Sequence, residues 1–144
     1  MSTRDRARSG DRGQAAVLLI GALTVAVAFA GVAVDGARLF TARRDLSAVA
    51  DAAALAGASA LDEGAYRASL GREIHVDPQL ARAAVATVIA DAALPQGARV
   101  DVAVGADTVD VRIARPVATT FLRIVGLAEE HIGAHARAAP RRTT

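Results

Sequence analysis

Residues 33–58, AVDGARLFTARRDLSAVADAAALAGA, begin inside an apolar run and end in a string of alanines. Asp35, Arg38, Arg43, Arg44, Asp45 and Asp51 break the hydrophobicity, yet no proline breaks the stretch. Alanine is the best helix former, so one helix is expected to pass from an apolar environment into a charged one without a turn. Upstream, residues 15–34, AAVLLIGALTVAVAFAGVAV, carry no charge. At ~1.5 Å per residue they cover about 30 Å, the thickness of a bilayer's hydrocarbon core. Ten of these residues are Val, Leu, Ile or Phe. Each favours insertion by roughly 0.3–0.6 kcal/mol near the helix centre, which outweighs the mild cost of Thr24 and two glycines. A transmembrane helix over 15–34 follows.

Two other readings compete. A core helix apolar on every face needs a larger protein around it. A secretory signal peptide is the stronger alternative, because Ala28-Phe29-Ala30 fits the small-x-small pattern before a cleavage site and a basic segment precedes the run. Cleavage after Ala30 would release a small secreted binding protein. Against it, the apolar stretch exceeds the usual ~7–15 residues and continues through Val34. For orientation, Arg4, Arg6, Arg8 and Arg12 precede the run, and Arg38, Arg43 and Arg44 follow it. Arginine counting places the N-terminus in the cytoplasm by a narrow margin. Ala22, Ala26 and Ala30 form a small-xxx-small ridge on which another membrane helix can seat.

Beyond the membrane the pattern narrows to one stripe. Leu39, Ala42, Leu46, Val49, Ala53, Ala56 and Ala60 recur at alternating steps of three and four, the seam of a helix packing on a neighbour. Gly36 is the expected flex point, and the helix is expected to reach about Leu61 and stop near Asp62-Glu63-Gly64. Its membrane-distal part is expected to pack on the chain's own domain, leaving the proximal part for partners.

Residues 62–76 read as a polar connector. Asp77-Pro78 has the form of an N-cap followed by proline at the first helical position. Leu80, Ala84, Val85, Val88, Ile89 and Ala92 then share one face of a helix that ends before Pro95. After Gly97 the period changes to two: Val100, Val102 and Val104, a turn at Gly105-Ala106-Asp107, then Val109, Val111 and Ile113. That is a β-hairpin with one buried face, ended by Pro116. A short helix through Phe121, Leu122, Ile124 and Val125 stops at Gly126, and a third strand is expected around His131–Ala138. The fold class is therefore α+β. A membrane helix continues into a long stem helix, then a second helix and a small antiparallel sheet, pilin-like in outline. The expected organisation is a basic cytoplasmic segment at 1–14, the span at 15–34 and the stem at 35–61. An extracytoplasmic α+β domain at 62–139 and a disordered tail at 140–144 complete it.

Composition excludes several chemistries. The chain has no cysteine and all its Lys+Arg residues are arginine. Disulfides, thiolate metal sites, a Walker-A lysine and Schiff-base chemistry are thereby excluded. A net charge of +2 with acids interleaved throughout, and 3% aromatic residues, argue against nucleic acid. His131 and His135 have a metal-ligand spacing only on a helix, and their segment reads as strand. His75 is isolated. Glu129-Glu130 and Asp62-Glu63 are ordinary surface acids. Gly57-Ala58-Ser59 starts like a nucleophile elbow, but Leu61 replaces the second glycine. Asp45-Leu46-Ser47-Ala48-Val49 starts like a von Willebrand Asp-x-Ser-x-Ser metal motif, but ends in valine within a helix. No enzyme, metal, cofactor or small-molecule substrate is expected.

Arg12-Gly13-Gln14-Ala15-Ala16-Val17, the single span and the 33–58 stretch resemble the TadE/TadG-like family of tight-adherence (Flp) pilus assembly proteins. The likeness is closest to the TadG-type N-terminal region. It is specific over about residues 12–60, at Asp35, Arg38-Leu39, Arg43, Leu46 and Asp51-Ala52-Ala53-Ala54-Leu55-Ala56-Gly57, and only a match of pattern beyond. Ser47-Ala48 stands where the family often has Gln-Asn. TadE-type pseudopilins resemble prepilins cut after a glycine, with glutamate at the fifth mature position; counting from Gly13, that position is Leu18. The large von Willebrand A-like domain of many TadG-type proteins is not expected within these 144 residues. The resemblance implies a membrane-anchored, minor-pilin-like component without catalysis of its own. Its partners would be the membrane and other Tad/Flp pilus assembly proteins or pilins. Packing would use Ala22, Ala26 and Ala30 in the membrane and Leu39, Leu46 and Val49 on the stem.

Overall fold

A computed structural model describes residues 3–140 except 71 and 73, with residues 3–12 and 125 described by backbone alone. The tail expected at 140–144 lies, from 141 onward, outside the described residues. The first element is one helix, α1 (Thr3–Ala58). After it come α2 (Glu63–Ala68), α3 (Pro78–Asp91), β1 (Arg99–Val104), β2 (Val109–Ala118), a 3-10 turn (Leu122–Val125) and β3 (Glu129–Ala138). The α+β expectation holds. The chain divides into two compact units: residues up to Arg38 with Thr119–Ala128, and Leu39–Ala118 with the residues from Glu129 onward.

In the second unit the three strands form an antiparallel sheet in the order β1-β2-β3. Register follows from the alternation. Val100, Val102 and Val104 face Ile113, Val111 and Val109 across one pair. Across the other, Ala134, Ala136 and Ala138 face the same three residues. Over these nine positions one face of the sheet is apolar, and it is covered by α1 and α3. Leu46, Ala50, Ala53, Ala54 and Ala58 of α1, Ala81 and Val85 of α3, and Val109, Val111 and Ile113 of β2 form the core. A two-layer stack of this kind lets each element bury its apolar side.

The buried stripe of α1 keeps the expected seam and widens beyond it. Leu46 and Ala53 are buried, but the stripe continues through Ala50, Ala54, Gly57 and Ala58, while Ala56 and Ala60 stay half-buried. A straight α-helix drifts by roughly 20° per heptad, so a helix lying on a sheet follows a 3.6-residue period. Gly57 sits where three elements meet. A Cβ there would lie 2.9 Å from Val85 Cγ2 and 3.0 Å from Val109 Cγ1.

Local signals account for most boundaries. Asp77 caps α3, its Oδ1 accepting from the Gln79 and Leu80 amides at 2.8 and 3.0 Å. Asp62 caps α2 in the polar connector through the Ala65 amide at 2.9 Å. α1 runs through Gly36 as helix and ends at Ala58. Leu61, expected near its end, instead bridges Val76. Pro116 does not end β2: it pairs with His131 inside the β2–β3 ladder. The pairing with β1 stops at Ala114. Beyond that point β2 has an open side on which a missing N–H breaks no ladder bond.

Candidate functional site

Among the described residues, one helix is long and apolar enough, by length and composition, to cross a membrane. Its large side chains are exposed on every side, among them Val17, Leu18, Leu19, Ile20, Leu23, Val25, Val27 and Phe29. Thr24, the one hydroxyl in the run, donates to the Ile20 carbonyl at 2.9 Å. That bond lets the hydroxyl sit in an apolar medium at little cost. Ala22, Ala26 and Ala30 are all exposed, four residues apart along one face.

At the end of the apolar run, still in the first unit, a clamp appears. Asp35 is 1% exposed. Its Oδ2 accepts from the backbone amides of Phe121 at 2.7 Å, Leu122 at 2.8 Å and Thr120 at 3.1 Å. Its Oδ1 accepts from Thr120 at 3.0 Å. These amides open the 3-10 turn, whose first N–H groups have no partner within the turn. Its own N-cap residue, Phe121, offers no side-chain cap. A carboxylate at a helical N-terminus satisfies both the donors and the local dipole. One turn further along α1, Arg38 Nη1 donates to Thr120 Oγ1 at 3.0 Å. One turn earlier, Gly31 gives Phe121 room: a Cβ there would overlap the ring and lie 2.9 Å from Phe121 Cβ.

The clamped segment closes on itself. Thr119 donates its N–H to the Ala128 carbonyl at 3.1 Å, and Leu127 donates to Leu122 at 3.0 Å. The Thr119 hydroxyl donates to the Leu127 carbonyl. Gly126 ends the turn with φ +92°, a left-handed conformation that favours glycine.

The stem residues expected to form an interface lie in the second unit. Leu46 is in the core, and Leu39 and Val49 are half-buried against it. The histidines stay apart from one another. His135 Nε2 lies 3.1 Å from Asp110 Oδ1, and His75 Nδ1 lies 3.1 Å from Asp107 Oδ1. Arg137 Nε donates to Asp110 Oδ1 and Oδ2 at 2.9 and 3.0 Å. That pairing, and secondarily the bond from His135, holds the Asp110 carboxyl below the usual range. His131 and His135 lie on strand β3, as expected. Among the described residues no cluster of His, Asp and Glu is arranged to hold a metal. An open hollow of about 590 Å³ is lined by Arg43, Ser47, Asp101, Arg112 and His135.

The apolar run, Asp35 and Arg38 all lie within a segment that matches a family model. Residues 13–60 match the family model "Tad: Putative Flp pilus-assembly TadE/G-like". The resemblance read from Arg12–Val17 and the 33–58 stretch is borne out over this segment. It supports a role related to Tad pilus assembly, and the family is one of pilus-assembly components, not of enzymes. Comparison with curated proteins and with solved structures gave no match.

The sequence singled out Asp35 within the motif without assigning it a task. Its partners lie 85 to 87 residues away. The available signal was a lone acid at the end of an apolar helix, together with a Thr-Thr-Phe segment that has no cap of its own.

Proposed function

We propose that this chain is a single-pass, membrane-anchored structural component, minor-pilin-like, of a Tad/Flp-type pilus or related secretion apparatus. The carrying observation is that the family match over 13–60 coincides with the exposed apolar helix and its charged continuation. Residues 15–34 span the bilayer, the N-terminus is cytoplasmic, and the α+β part that follows is extracytoplasmic. The chain works by packing and performs no catalysis.

Within that role the two sets of small and apolar residues divide the labour. Ala22, Ala26 and Ala30 let the backbone of a second membrane helix approach closely, which favours association where lipid gives no hydrophobic driving force. Leu46 and Val49 hold the stem onto the chain's own sheet, and Leu39 marks where that packing begins. The partners are the membrane and other Tad/Flp pilus assembly proteins or pilins, with no nucleic acid and no small-molecule substrate. Ala26→Leu is the direct test, because it fills the ridge while keeping the helix apolar. Recovery of partner Tad membrane proteins with the tagged chain is expected to fall while membrane insertion is unchanged. Unaltered recovery contradicts the ridge as an interface.

A further inference from the structure

The Thr119–Ala128 segment presents apolar side chains outward. Ile124 is 83% exposed, Leu127 51% and Phe121 37%. Its backbone, by contrast, is tied internally and to Asp35, so these side chains project from a defined loop. Its height on α1 is fixed by two contacts. Phe121 lies over Gly31, three residues before Val34 and so about 4.5 Å inside the end of the apolar run at ~1.5 Å per residue. Asp35, the first residue beyond the run, holds the amides of Thr120, Phe121 and Leu122. Two arginines belong to this contact: Arg38, bonded to Thr120, and the exposed Arg123 of the 3-10 turn. Apolar tips flanked by arginines are the composition of segments that sink ~5–10 Å into a bilayer surface.

We propose that Thr119–Ala128 is a second membrane contact, an interfacial anchor that seats Phe121, Ile124 and Leu127 in the leaflet where α1 leaves the bilayer. The inference rests on α1 being a span. Lipid is the occupant because Phe121 is held against a residue of the apolar run itself, so the loop meets lipid wherever the run does. Arg123 and Arg38 then face the anionic headgroup layer.

The chain has no cysteine, so Ile124→Cys, Leu127→Cys and Val25→Cys variants of the full chain each accept a single environment-sensitive fluorophore. Each is placed at one copy per nanodisc of phosphatidylcholine and phosphatidylglycerol. The labels at 124 and 127 are expected to be quenched several-fold more by lipids spin-labelled near the headgroup than by aqueous iodide. The label at 25 is expected to respond to lipids spin-labelled deep in the chain. Iodide quenching at 124 and 127 with lipid quenching kept at 25 overturns the anchor and leaves the span intact. Protection at 124 and 127 from both quenchers shows a protein cover and also overturns it. Iodide quenching at 25 removes the span, and the anchor with it.

Discussion

Asp35 and Leu122 are 87 residues apart in sequence and joined by a 2.8 Å hydrogen bond, carboxylate Oδ2 to backbone amide. The first acid after the apolar run therefore serves as the N-terminal cap of a turn that has none of its own. Asp35→Asn keeps the size of the side chain but gives up the charge and one acceptor oxygen. Amide exchange at Thr120, Phe121 and Leu122 is expected to accelerate markedly, with the amides of β2 unchanged. Unchanged exchange at all three positions contradicts the cap.

Gly31→Leu tests the other half of the clamp. The added side chain must displace Phe121, and overpacking of this kind costs about 1–3 kcal/mol. Exchange across Thr119–Leu127 is expected to rise. Adding Phe121→Ala to Gly31→Leu is expected to recover part of that loss, since the collision is with the ring.

Gly57→Ala places a methyl between Val85 and Val109, at 2.9 and 3.0 Å from their side-chain carbons. Both valines are buried, so neither moves cheaply. A loss of about 1–3 kcal/mol is expected in denaturant unfolding of the detergent-solubilised chain. The ordinary helix gain of alanine over glycine, about 1 kcal/mol, has the opposite sign. A stabilised variant would show that the crossing has slack.

The same physics explains what the sequence disclosed and what it hid. The apolar helix, the Asp77-Pro78 start of α3, the alternating valines of the hairpin and the Gly126 stop are local signals, and each reappears in the fold. Pro116 misled because its tolerance depends on β1 ending at Ala114, a property of the neighbouring strand. The seam widened to take in Ala50, Ala54, Gly57 and Ala58 because an alanine-rich helix offers many apolar stripes and the sheet chooses among them. The capping role of Asp35 was illegible for the same kind of reason: no local pattern announces a partner on another element.

Acid titrates the outer face of the sheet. Arg137, and then His135, hold the Asp110 carboxyl below its ordinary value. Its folded pKa therefore lies below its unfolded one, near 3.9, and in that window the unfolded chain binds more protons. This contribution to stability is present above the unfolded value and is lost as pH falls through the folded one. Unfolding midpoints measured from pH 5 to pH 2 are expected to fall on acidification. Asp110→Asn is expected to flatten that part of the curve, and an identical slope in the variant contradicts the assignment.

The central claim is that the apolar run remains part of the mature protein and holds it in the membrane. Membranes from cells expressing the native chain, washed with alkaline carbonate and analysed by intact mass, test it most directly. The chain is expected in the membrane pellet with residues 15–34 retained. A species beginning at Gly31, released into the soluble fraction, would contradict it.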